Sequence, residues 1–322
     1  MGSDDFLHVQ AATPLCECYT VAGSSLSLAT NHEVVLKAAR SAFAQIANPS
    51  GSVDFRLRFW LDNADASTAP WPQPYVRGLN HLVFAGFGEK SSMLADLRRR
   101  RVTGRFSLAM GADVTHWRTI IFPVLLTILS GSMGLVELHA SCVEKEGRGL
   151  VLLGASHSGK STLAMALTRR GFRLLSDDRI FCALQKRRIA AYGLPRPLKL
   201  RHEAASWFDE LRDREPTLSP DGKRVFYCEP DERDEERSAR ICEPQALIVL
   251  KQRPSPMFRM TPIGADEVRS MVEADLLVEA REAADAQQTV LDHLTMLPCW
   301  WLEYGGNPHS IAERIEAAVL RN

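Results

Sequence analysis

Leu150-Val-Leu-Leu153-Gly154-Ala-Ser-His-Ser-Gly159-Lys160-Ser161-Thr162 decides how this chain is read. A run of apolar residues ends at a glycine, and a helical pattern starts after the small residues. Gly154 to Ser161 matches GxxxxGK[ST] without a gap, and each fixed type has a physical reason. The glycines permit a tight loop whose N–H groups turn inward to meet phosphate oxygens. The following helix adds the positive end of its dipole. Lys160 reaches the β- and γ-phosphates, and the Ser161 hydroxyl ligates Mg²⁺. The pattern predicts a strand over Leu150–Leu153, a phosphate loop, and a helix over Ser161–Arg170 stopped by Gly171. Gly154, Ala155, Ser156, His157, Ser158, Gly159, Lys160, Ser161 and Thr162 are therefore the candidate contacts to a nucleoside triphosphate.

Downstream, Phe172–Leu175 reads as another strand, ending in Ser176-Asp177-Asp178. A nucleoside triphosphatase usually carries its Mg²⁺-directing aspartate at the end of a later strand. The best later strand here, Ala246–Leu250, closes with Lys251 instead. The acidic pair stands 17 residues after Lys160. Adjacent carboxylates at a strand end beside a phosphate loop can divide two jobs. One holds the metal, and the other takes a proton from the attacking hydroxyl. A plain turn would also explain them. Upstream, Leu135–Val143 reads as a strand carrying His139, whose context fits a packed core histidine as well as a functional one.

In order, these stretches resemble the HPr kinase/phosphorylase superfamily and its HPr-kinase-related members. The resemblance rests on His139-Ala-Ser141, the apolar strand, Gly154 to Thr162, Arg169-Arg170-Gly171 and Leu174-Leu-Ser-Asp177-Asp178-Arg179, with a weaker echo at Gly193-Leu-Pro-Arg-Pro-Leu-Lys199. It implies an α/β fold with a P-loop core related to phosphoenolpyruvate carboxykinase. The implied activity is transfer of the γ-phosphoryl group of ATP, with Mg²⁺, to a protein serine, with phosphorolysis in bifunctional members. Carried over by residue, Lys160 and Ser161 take the phosphate and metal roles. Asp178 resembles the base that deprotonates serine, Asp177 lies near the metal, and His139 resembles the active-site histidine. Homo-oligomers are common among such relatives. His157 stands where the family has a small residue, and the C-terminal region lacks the stretch associated with engaging HPr. The acceptor is therefore left as a serine of a protein or peptide. A small-molecule alcohol kinase and a non-catalytic ATP-binding sensor or scaffold are the rival readings.

The rest of the chain frames that core. Residues 1–114 read as an N-terminal accessory α+β domain without a catalytic group, expected to position the acceptor, and 115–322 as the kinase domain. Val53–Leu61 alternates like a strand, Asn63–Pro74 like a loop, Met93–Arg101 like a short helix and Arg105–Met110 like a strand. A helix is expected from about His116 to Leu129. Further strands are expected at Ile180–Leu184, Ile189–Gly193, Arg224–Cys228 and Phe258–Thr261. Ala204–Arg212 reads as a helix, the acidic Glu229–Glu236 as an exposed loop, and a last helix starts at Asn307-Pro308.

Over 322 residues, Lys+Arg and Asp+Glu are 39 each, so no general attraction to nucleic acid or anionic membrane is expected. Arg98–Arg101 is the basic cluster, read as a solvated helix end. Seven cysteines without a CxxC pair suit free thiols in a reducing, cytoplasmic setting. Thr119–Val136 is uncharged but broken by Pro123, Gly131 and Gly134, which favours a buried helix and core strand over a membrane span.

Overall fold

The computed structural model describes residues 12–46, 53–62, 69–194, 197–219, 222–228, 241–274, 276 and 284–319. It is a mixed α/β chain in two compact units, which divide between Met133 and Gly134.

The first unit is built on one eight-stranded sheet. Its strands are β1 (Leu15–Val21), β2 (Ser24–Thr30), β3 (Ala44–Ile46), β4 (Phe55–Asp62), β5 (Tyr75–Leu79), β6 (Leu82–Gly86), β7 (Ser92–Asp96) and β8 (Arg101–Ser107). Their order is β3-β1-β2-β4-β8-β7-β6-β5. Alternation puts Phe55, Leu57, Phe59, Val102 and Phe106 on a buried face. Met93–Arg101 is not a helix. Met93 and Ala95 are buried while Leu94 and Asp96 are half-buried, so pairing with β6 and β8 overrides a helical-looking composition. The expected strand Arg105–Met110 is likewise displaced. Strand β8 ends at Ser107, whose hydroxyl accepts the Met110 N–H at 3.3 Å and caps a short helix, Leu108–Ala112.

The long helical segment Val114–Met133 passes through a π-helical turn at Trp117–Ile121. The sequence reading starts the second domain near residue 115, whereas this helix belongs to the first unit. Trp117 stacks against Phe59 and Phe106 at 5.7 and 4.7 Å between centroids, which fixes the helix there. By length and composition the segment could cross a membrane, yet 61% of its most apolar window is buried inside the structure.

The second unit holds a larger sheet formed by β9 (Val136–Leu138), β10 (Ser141–Lys145), β11 (Arg148–Leu153), β12 (Arg173–Ser176), β13 (Ile180–Gln185) and β14 (Arg188–Gly193). A separate three-stranded sheet comprises β15 (Leu198–Arg201), β16 (Thr217–Leu218) and β17 (Arg224–Cys228). Then β18 (Ile241–Gln252), β19 (Met257–Pro262) and β20 (Cys299–Gly305) complete the large sheet. Strands β11, β18 and β20 run parallel. Leu150 and Leu152 pack on one side with Leu163, Leu167, Ile311 and Ile315, while Val151 and Leu153 pack on the other with Val268, Val272 and Leu291. A strand covered on both faces must be apolar throughout, which is why β11 lacks alternation.

The expected single strand Leu135–Val143 is two strands. β9 pairs with β13, and β10 pairs with β11 and β12, so the chain changes partners at His139-Ala140. Ala204–Arg212 is not one helix but two 3₁₀ turns, His202–Ser206 and Asp209–Leu211. Glu229–Glu236 lies outside the described residues. The last helix, Pro308–Val319, begins as expected, with the Asn307 Oδ1 accepting the His309 N–H at 2.9 Å. All seven cysteines are free thiols, and Cys142, Cys182, Cys242 and Cys299 are buried.

Candidate active site

Strand β11 ends at Leu153 and the following helix occupies Lys160–Thr168, so Gly154–Gly159 is the turn between them. Its backbone takes conformations that suit glycine. Gly154 has φ +141°, and a Cβ there would lie 2.6 Å from the Ser158 Oγ. Gly159 has φ +86°, and a Cβ there would lie 2.0 Å from the Tyr304 Oη. That tyrosine, on β20, props the loop by donating to the Ser158 carbonyl at 2.6 Å. Ala155, Ser156 and His157 are exposed at the tip, whereas Ser158 is buried. The Ser158 hydroxyl is buried without a hydrogen-bond partner among the described residues.

His157 adopts φ +72°, a left-handed region that few residues with a Cβ take without strain. His157→Gly should therefore raise the unfolding free energy by about 1 kcal/mol, strain relief outweighing the added freedom of the unfolded chain. Denaturant melts of the two proteins measure this directly. An unchanged or lowered midpoint would mean the loop is not strained at that position.

Lys160 is 8% exposed. Its ammonium folds back onto the loop, donating to the carbonyls of Gly154 at 2.6 Å and Ala155 at 3.3 Å. Ser161, second in the helix, donates to the Asp177 Oδ1 at 3.0 Å, and Thr162 follows half-buried.

Asp177 is 4% exposed and lies just past the end of β12. Its Oδ1 also accepts from the Ser141 hydroxyl, and its Oδ2 accepts the Lys199 N–H at 3.2 Å. Burial raises its pKa, and the neighbouring Asp178 charge adds to that, while the three hydrogen bonds oppose it. The folded chain thus holds this proton more tightly than the unfolded one. Burying Asp177 costs stability at neutral pH, and the cost fades as pH falls through the raised value towards the ordinary carboxylate range.

Asp178 turns the other way. Its φ of +78° takes the chain out of the strand direction and leaves its side chain 52% exposed. One carboxylate oxygen lies 3.6 Å from the His139 Nε2, itself on a half-exposed ring. Arg179 stands 4.0 Å from the other oxygen and donates to Glu137 at 2.6 Å. Topology explains this meeting. The β9–β10 link carries His139, and the β12–β13 link carries Asp177 to Arg179. Both links pass between the same pairs of antiparallel strands, β10 with β12 and β9 with β13, so they lie side by side.

All the candidate residues from His139 to Asp178 therefore fall in one part of the second unit. Sequence reading missed Ser141, Lys199, Tyr304, Glu137 and Arg179 as members. Ser141 is next but one to His139, and only the pairing of Cys142 with Ser176 brings it to Asp177. Lys251, where a metal-directing aspartate was sought, places its ammonium 3.5 Å from the centroid of the Trp301 ring.

Parts of two curated relatives align with this chain. The HPr kinase/phosphorylase of Lactobacillus acidophilus is 49% identical over 44 residues, 14% of each chain. That of Lactobacillus johnsonii is 30% identical over 99 residues, 31% of this chain and 29% of the relative. Over part of its length, this chain is similar to HPr kinase/phosphorylases. It spans less than a third of either curated relative it matches. The HPr(Ser) kinase/phosphatase of Coxiella burnetii aligns with 56% of this chain and 91% of its own, at 15% identity and a TM-score of 0.29. No protein-family model matches the chain.

Proposed function

We propose that this HPr-kinase-related chain is an ATP-dependent kinase that transfers the γ-phosphoryl group to a serine of a protein or peptide. The observation that carries the reading is the division of labour between two adjacent carboxylates. Asp177 is buried and held by Ser161 and Ser141, and Asp178 is turned out beside His139.

The reading treats Gly154–Ser161 as a P-loop, in a core of the HPr kinase and phosphoenolpyruvate carboxykinase type. Loop N–H groups would hold the β- and γ-phosphates, and Lys160 would exchange the carbonyls of Gly154 and Ala155 for phosphate oxygens. Ser161 and Asp177 offer hard oxygen donors within 3.0 Å of each other, and the charge of Asp178 acts on the buried carboxylate. This donor set fits Mg²⁺, which commonly takes one or two protein oxygens and completes its shell with phosphate and water. When bound, Mg²⁺ would offset negative charge on the phosphates.

The chain's own groups then act in sequence. Asp178 accepts the proton of the acceptor serine as its oxygen closes on the γ-phosphorus, and the bond from that phosphorus to the β–γ bridging oxygen breaks, releasing ADP. His139 orients Asp178, held in turn by the strand link that carries it. Such transfer depends mainly on placement and charge, and these residues supply both. The first unit carries none of these groups, and we assign it to recognition of the acceptor.

The test is incubation of the purified protein with γ-labelled ATP and an extract of its own organism, with Asp178→Asn as control. Label in a polypeptide as phosphoserine, absent with the variant, is the expected result. Label recovered only in small metabolites would overturn the protein acceptor in favour of an alcohol. No transfer, with ATP still bound, would make the chain a sensor or scaffold.

A further inference from the structure

Strands β11, β18 and β20 are parallel, and the glycine loop leaves β11 at the carboxyl end that also carries Tyr304 on β20. The tyrosine ring is 4% exposed and shares a core with Leu163, Leu250, Leu302 and Ile311. Its main-chain carbonyl accepts the Arg253 N–H at 2.7 Å, so both ring and backbone are held. Burial pushes the phenol pKa up, and the hydroxyl stays a donor at neutral pH.

That hydroxyl donates to the Ser158 carbonyl at 2.6 Å. The peptide joining Ser158 to Gly159 is trans, and in a planar trans peptide the C=O and N–H point in opposite directions. Tying the carbonyl to β20 therefore turns the Gly159 N–H away from β20. The carbonyls of Gly154 and Ala155 face the Lys160 ammonium instead. Nothing local fixes the peptide at 158–159. Gly159 sits at φ +86°, and glycine takes either sign of φ almost equally well, so its sequence alone leaves this peptide free to flip. The Ser158 hydroxyl gives no second anchor, being without a hydrogen-bond partner among the described residues.

We propose that Tyr304 is a positioning residue for phosphate binding. Its hydroxyl sets the direction of the Gly159 N–H, and through it the affinity for a triphosphate, without touching the nucleotide. Because it acts through the loop, this role rests on reading Gly154–Ser161 as a phosphate loop. The hydroxyl, not the ring, is what the loop needs.

Tyr304→Phe in the full chain separates the two, since it keeps the ring and the core it fills. In calorimetric titration it should bind Mg·ATP at least about fivefold more weakly than the parent. A second readout follows the amide itself. With glycine isotopically labelled at nitrogen, the Gly159 resonance is the one missing from Gly159→Ala. Saturating Mg·ATP should move its proton downfield in the parent and much less in Tyr304→Phe, a difference that mere packing would not produce.

A third readout needs no nucleotide. A Cβ at Gly159 would lie 2.0 Å from the Tyr304 Oη but 3.4 Å from the Cζ beneath it. Gly159→Ala should therefore lower the melting temperature more in the parent than in Tyr304→Phe, because the strain at positive φ is common to both and cancels. Equal Mg·ATP affinity in Tyr304→Phe, with Lys160→Ala weakened, would overturn the role of Tyr304 and leave the phosphate loop standing. Equal melting losses in the two backgrounds would overturn it as well. A parent that binds no Mg·ATP would overturn the phosphate-loop reading, and this role with it.

Discussion

Asp178→Asn should lower phosphoryl transfer by about 10²-fold or more while leaving affinity for Mg·ATP nearly unchanged. The backbone favours this substitution as a clean test. At φ +78° most side chains are strained, but asparagine is among the few that tolerate this region, so the turn that exposes residue 178 should survive. The amide keeps the size of the carboxylate and an oxygen that can face the His139 Nε2, 3.6 Å away in the parent. What it loses is the capacity to take a proton. Nucleotide affinity should hold because Lys160, Ser161 and the loop N–H groups are untouched, and because Asp177, not Asp178, shares a hydrogen bond with Ser161. Single-turnover transfer measured beside calorimetric binding separates the two quantities. Near-normal transfer would remove Asp178 from the base role and move it to Asp177 or His139.

The contrast between these two aspartates also marks how far the sequence could be read. Asp177-Asp178 at the end of an apolar run was visible as a pair, and so was the loop that precedes it. Which carboxylate is buried was not. That depends on Ser141 and Lys199, brought in by β10 and β15, and long-range pairing leaves no local trace in composition. The break at His139-Ala140 was hidden for the same reason. Leu135–Val143 is apolar enough for one strand, and only the exchange of partners from β13 to β12 splits it. Tyr304 illustrates a further gap. Its strand, Cys299–Gly305, follows a stretch whose helices went unread, so nothing marked the tyrosine that props the glycine loop from below. Elements bounded by strong local punctuation were legible, as with the helix that opens at Asn307-Pro308. Met93–Arg101 misled because four arginines after an apolar run look like a helix end. In the sheet, the same arginines form a turn and an exposed strand start.

Lys160→Ala should weaken Mg·ATP by a few kcal/mol, on the scale of one buried charge-assisted contact to a polyphosphate, which corresponds to roughly 30-fold or more in Kd. Two effects act on this number in opposite directions. Without nucleotide, the ammonium is already bonded to the Gly154 and Ala155 carbonyls, at 2.6 and 3.3 Å, and must leave them to reach phosphate. The net loss in the variant is therefore smaller than the full strength of the phosphate contact. Against this, the side chain is nearly buried, so its charge is poorly screened and acts strongly on a phosphate placed at the loop. The second effect should dominate, because the two carbonyls border the exposed tip of the loop and water can replace the lysine there. Alanine at the first helical position keeps the helix, and Leu163, Ala164 and Leu167 still pack beneath it. A melting curve close to the parent's should accompany the weakened titration. Equal affinity in a folded variant would mean that Gly154–Ser161 does not bind the phosphates through Lys160. The kinase reading would then lose its first step, whatever Asp178 does.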